Sequence, residues 1–201
     1  MKNKQSDFTI LLLAILLLFT GSFMKLSAQE SSNLKGKKIA LIVANNGYRD
    51  EEFEEPRDYF NNHGAEVVVV SSSLKTAQGS MGGEVKPDKL LNNISAGEFD
   101  AIVFVGGPGA NEYFKSEKAL ALVKDAHKEK KIIAAICIAP NILNNAGILK
   151  GKKATAWSFN DKKTGVIIVN QNVVTDGKII TANGPRAALQ FAEAIGKALS
   201  N

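Results

Sequence analysis

The chain of 201 residues has one cysteine, Cys137, and two histidines, His63 and His127. A single thiol cannot close an intrachain bridge, which excludes a disulfide-built scaffold. The 17 glycines and 5 prolines fit no collagen-like repeat, and an apolar content of 45% is ample for a core, so a disordered tail is excluded too. One globular domain is the expectation. Charge of one sign is also scarce. The net charge is +5, and Lys2, Lys4 and Lys25 contribute to it against Asp7 within the first 28 residues. What remains is too mild and too evenly spread to argue for DNA or RNA.

Those first residues form a distinct segment. Lys2 and Lys4 precede an apolar run from Phe8 to Phe19, and Leu26, Ser27 and Ala28 offer small residues for cleavage. This is the pattern of a secretory signal peptide over 1–28, cut after Ala28, followed by a polar leader over 29–36 and a single domain over 37–201. The expectation is a periplasmic or extracellular protein, free of the membrane once cleaved; an uncleaved anchor is the alternative. No cysteine stands near the cut to carry a lipid.

From Lys38 onward, strands and helices alternate. The near-continuous apolar run over 38–44 reads as a strand buried on both faces, the β-branched 65–70 as a second strand, 100–105 as a third, buried one and 132–136 as another. Helices are expected over 50–63, closed by Gly64, over 116–131, in a short stretch ending at Gly147, and over 185–199 with Phe191, Ile195 and Leu199 inward. The stretch 71–88 reads as a loop with a short hairpin, 154–157 as a strand, and Asp176-Gly177 as the turn of a hairpin joining Val173-Val174 to Ile179-Ile180. Such alternation implies an α/β fold, a mostly parallel sheet with helices on both faces. Ligands then sit outside the carboxyl ends of the strands. Three segments end strands there, 45–52, 106–112 and 137–141, and chemistry is expected among them.

Cys137 lies where a strand turns at once into a helix that begins near Pro140. A side chain at such a turn projects above the sheet, as in a nucleophile elbow, and nearby helix amides favour a thiolate near neutral pH. A small buried cysteine at a tight turn is the competing reading. Among Asp50, Glu51, Glu52, Glu54 and Glu55, the residues alone single out none.

In sequence order, Asp50-Glu51-Glu52-Phe53-Glu54-Glu55-Pro56, Val105-Gly106-Gly107, Ala134-Ala135-Ile136-Cys137 with Pro140, and Asp176-Gly177-Lys178-Ile179-Ile180-Thr181 before Gly184-Pro185 resemble the PfpI family, the DJ-one/PfpI superfamily with a class I glutamine amidotransferase-like fold. The resemblance spans essentially 37–199 and implies a flavodoxin-like three-layer sandwich that is commonly dimeric, so a homodimer is expected. It places Cys137 as the reactive cysteine, Glu52 as its hydrogen-bonding acid, and Gly107 with the Ile138 amide as an oxyanion pocket, beside Gly106. No cofactor and no metal are implied.

Two departures narrow the function. Protease-like members have a His after the nucleophile, where Ile138 stands here, and a His found after the following strand in some relatives is replaced by Trp157. Trp157 either walls the pocket or is a core indole. With His63 and His127 read as surface residues, no imidazole is available to protonate a leaving amine, so efficient peptide cleavage is not expected. Two readings follow. One is an enzyme of glyoxalase-like, deglycase-like or related hydrolase chemistry on small carbonyl substrates; the other is a non-enzymatic redox sensor or chaperone-like stress protein built on oxidation of Cys137.

Overall fold

Apolar residues on both faces of a strand demand cover on both sides, and that requirement organises the molecule. In the computed structural model, which describes residues 33–160 and 164–201, a seven-stranded sheet runs β11-β12-β8-β7-β1-β3-β6. Its strands are β1 (Lys38–Ile42), β3 (Glu66–Ser71), β6 (Lys89–Leu90), β7 (Ala101–Phe104), β8 (Ile132–Ile136), β11 (Val173–Asp176) and β12 (Ile179–Ala182). Every neighbouring pair is parallel except the β11/β12 hairpin. Along β1 the side chains divide: Ala40 and Ile42 join one buried cluster, Ile39 and Leu41 the other.

Helix α1 (Asp50–Asn62) and helix α4 (Ala188–Ser200) share the second cluster through Phe53, Phe60, Phe191 and Ile195. Helix α2 (Glu117–Lys128) and the short α3 (Pro140–Asn145) cover the opposite face through Leu122, Val123, Ile142 and Leu143. The three-layer sandwich is therefore as expected. The expected signal segment, and the leader as far as residue 32, lie outside the described residues.

Two small sheets qualify the expectation. The 71–88 loop does hold a hairpin, β4 (Ala77–Gly79) with β5 (Glu84–Val85), but β2 (Asn46–Tyr48) joins it as a third strand. The strand expected over 154–157 shortens to β9 (Lys153–Ala154), paired with β10 (Ile167–Ile168). After Ala154 the backbone leaves the sheet because other partners take its amides: Thr155 N–H donates to Thr181 Oγ1 at 3.0 Å, and Trp157 N–H to the Cys137 carbonyl at 2.8 Å.

Candidate active site

The chain reverses direction in the sheet at β1, with β3 on one side and β7 on the other, and the ends of β1, β7 and β8 open at this switch point. After β8, Cys137 takes a left-handed backbone conformation with φ +64°, unusual for a residue with a side chain. Its surroundings hold it there. Its N–H donates to the Ala182 carbonyl of β12 at 2.9 Å, its carbonyl accepts from Trp157, and Ala139 N–H closes a turn onto Ile136 at 3.0 Å. The sharp turn leaves the thiol half-buried at the start of α3.

The acidic run at the start of α1 separates by burial. Asp50 accepts from Met81 N–H at 2.8 Å and Gly83 N–H at 2.6 Å, pinning the small sheet to the helix. Glu51 points outward to Arg49, whose hydrogen bonds hold its carboxyl below the usual range. Glu54 and Glu55 face solvent. Only Glu52, fully buried, reaches Cys137. Pro56, four residues on, removes the N–H that a regular helix would donate to the Glu52 carbonyl.

Gly106 lies between the acid and the thiol. Its N–H donates to Glu52 Oε2 at 3.1 Å, and its carbonyl accepts from Arg49 N–H at 3.0 Å. A Cβ at Gly106 would stand on the Glu52 carboxyl and 2.5 Å from the Cys137 Cβ, so only glycine fits. Gly107, at φ +94°, and Ile138 direct backbone N–H groups at the sulfur. Cys137, Glu52, Gly106, Gly107 and Ile138 are thus brought together. Trp157 joins them through its backbone, but its indole is 70% exposed, so it is not a core side chain.

Burial controls the protons. It raises the Glu52 carboxyl from 4.5 to about 7, against the opposing hydrogen bonds from Cys137 and Gly106. Burial likewise raises the thiol from 9.0 to about 11, followed by the negative charge of Glu52, while the Gly107 and Ile138 amides pull the other way. The expectation of a free thiolate near neutral pH therefore needs correction. Desolvation outweighs the helix amides, and a thiolate forms only where Glu52 keeps the proton. Glu52 Oε1 is buried and accepts no hydrogen bond of ordinary length from another described residue, which adds to the cost of ionising the carboxyl.

Both histidines are remote from this arrangement. His63 caps the far end of α1, stacked on Tyr59, and His127 is exposed in the last turn of α2, shortly before β8 begins. Among the described residues, no cluster of His, Cys, Asp and Glu has metal-binding geometry. Asn141, nearly fully buried, is a residue that the sequence did not flag. Its amide donates to the carbonyls of Ile138 and Ser158 at 2.8 and 2.9 Å and its Oδ1 accepts from Asn160 at 2.8 Å, tying the Trp157 loop to the elbow. An asparagine directly after Pro140, four residues past Cys137, was its only sequence signal.

A family model described as the DJ-1/PfpI family matches residues 37–198. The chain belongs to the DJ-1/PfpI family. A deglycase of Pyrococcus horikoshii is 32% identical over 151 residues, covering 74% of this chain and 90% of that protein. Protein/nucleic acid deglycase 2 of Escherichia coli is 30% identical over 155 residues, 74% of this chain and 90% of its own. The crystal structure of a ThiJ/PfpI domain protein from Brachyspira murdochii superposes with a TM-score of 0.79 at 34% identity, covering 82% of this chain and 97% of that one. Deglycases are thus among the DJ-1/PfpI relatives of this chain, and its flavodoxin-like sandwich is that of solved members of the family.

Proposed function

We propose that this protein is a cofactor-independent, cysteine-dependent enzyme of deglycase-like or glyoxalase-like chemistry on small carbonyl compounds. The observation that carries the reading is the buried Glu52–Cys137 pair, with two amides aimed at the sulfur. The deglycase relatives support the same class.

The chemistry needs only these groups. The thiolate attacks an aldehyde carbon, a C–S bond forms, and the carbonyl π pair moves to oxygen, where the Gly107 and Ile138 amides stabilise it. Glu52 supplies the proton that makes the thiohemiacetal and is left as a carboxylate. On a dicarbonyl such as methylglyoxal, that carboxylate takes the proton from the former aldehyde carbon to give an enediol and returns it to the adjacent carbon, while the hydroxyl proton passes from the first oxygen to the second. The product is a thioester of a hydroxy acid, which water hydrolyses to the acid and the free thiol. No external oxidant or reductant enters. A peptide bond asks more, because its amine must be protonated as it leaves, and no imidazole stands near.

Purified protein should convert methylglyoxal to lactate, and Cys137→Ser should reduce the rate by at least about a thousandfold. Turnover that survives the substitution would reject the mechanism. No turnover, with sulfinate accumulating on Cys137 under mild peroxide, would favour the redox sensor instead.

A further inference from the structure

Next to the elbow, lined by Thr155 to Trp157 and Asn183 to Arg186, lies an open cleft of about 850 Å³, large enough for a ligand well beyond a three-carbon aldehyde. Cys137 is not in its lining. The cleft reaches the site through Trp157, whose N–H binds the Cys137 carbonyl, and through Asn183 and Gly184, which follow Ala182, the acceptor of the Cys137 N–H.

The chemistry of the wall is one-sided. Arg49 and Arg186 line it, with the indole of Trp157 and the carboxamides of Asn170, Asn172 and Asn183, and among the described residues no Asp, Glu or Lys is in the lining. Arg49 spends Nε and Nη2 on Glu51, at 2.7 and 2.9 Å, so Nη1 is the part left for a ligand. Arg186 is exposed and makes no ion pair among the described residues. The carboxamides of Asn172 and Asn183 join at 3.2 Å, fixing part of the wall. The ring of Trp157 rests on Gly184, where a Cβ would come within 3.1 Å of it, so the indole has a defined seat despite its exposure.

We propose that this cleft binds the carboxylate of an anionic carbonyl substrate, with Arg186 as its principal partner and Trp157 covering the adjoining carbon chain. A guanidinium matches a carboxylate in two parallel hydrogen bonds, and the indole face supplies apolar contact without a polar demand. The preferred substrate class is then an α-dicarbonyl that carries a carboxylate, rather than neutral methylglyoxal, and simpler aldehyde acids serve as binding probes of the same cleft. This deepens the enzymatic reading, since it names the substrate class of the same site.

Trp157 is the only tryptophan of the chain, so its fluorescence reports on the cleft alone. The Cys137→Ser protein is titrated with glyoxylate and succinic semialdehyde, and with the neutral compounds glyoxal and butanal. Saturable quenching by at least one of the anions, about tenfold tighter than by its neutral partner, is expected. Arg186→Ala should erase most of that preference and Arg186→Lys should restore part of it. Anionic and neutral compounds binding alike, or an anion preference untouched in Arg186→Ala, would overturn the proposal. The outcome is independent of catalysis. Anion-selective quenching without turnover in the wild-type protein supports the cleft and rejects the enzyme, whereas methylglyoxal turnover without anion preference does the reverse.

Discussion

The two sides of Cys137 are built on opposite principles. On the α1 side, Glu52 is fully buried, Gly106 leaves no room for a methyl group, and desolvation is the largest influence on both titrating groups. On the cleft side, Trp157 is 70% exposed, Arg186 faces solvent, and carboxamides line an open wall. The difference teaches how one cysteine can serve two needs. Moving a proton between carboxyl and sulfur near neutral pH requires a dry environment that makes the charged carboxylate costly. Admitting and selecting a ligand requires access and a charge that water has not been stripped from.

The comparison breaks most severely at Gly106. Gly106→Ala adds a methyl group where Glu52 and Cys137 already stand, and the neighbours that must shift are the reacting groups. We expect a stability loss of about 1–3 kcal/mol and a fall in turnover on the order of a hundredfold, the effect of misplacing reacting groups by about 1 Å. Denaturant unfolding and kinetics measure the two. Wild-type values for both would show that the dry side has slack that the packing denies.

A subtler effect should follow from Glu52→Gln. The carboxyl ionises at 4.5 in an unfolded chain and at about 7 in the folded one, so the folded state holds the proton more tightly. Its stabilising contribution is complete below pH 4.5 and is lost as the pH rises through 7, an effect of about 3 kcal/mol over that window. Glutamine does not titrate. The stability difference between variant and wild type should therefore move in favour of the variant by up to that amount between pH 4.5 and 8, while turnover falls. With the negative charge gone, Cys137 should also alkylate at lower pH than in the wild type. A stability difference independent of pH would place the proton elsewhere.

The smallest effect belongs to the open side. Trp157→Ala removes an exposed indole, and stability should change by no more than about 0.5 kcal/mol. Thermal unfolding checks it, and a loss several times larger would make the ring a structural element after all.

Much of this was legible before any coordinates. Runs such as Ile39 to Val43 and Ile132 to Ile136 are apolar at every position, which only a two-sided burial satisfies, and the spacing of Phe191, Ile195 and Leu199 marks one face of a helix. Asp176-Gly177 fixed its hairpin because the turn chemistry is local. β2 and β6 were not legible, since three and two residues carry no periodicity. The strand expected over 154–157 failed for a related reason: its amides are claimed by Thr181 and Cys137, partners remote in sequence.

The site divides in the same way. The sequence by itself determined the strand-to-helix turn that presents Cys137, the glycines that let other groups approach, and the absence of a histidine beside the nucleophile, because turn geometry and residue chemistry are local properties. The residues alone did not say which of five acids is the partner, and only the resemblance pointed to Glu52; that pairing, the balance between thiol and thiolate, and whether Trp157 is inside or outside are matters of tertiary structure. Each depends on burial, and burial is a property of what the rest of the chain places nearby. Glu52 differs from Glu51 by one position and from Glu54 by two, yet one helix turn puts it against Gly106 and Cys137 and leaves the others to Arg49 and to water.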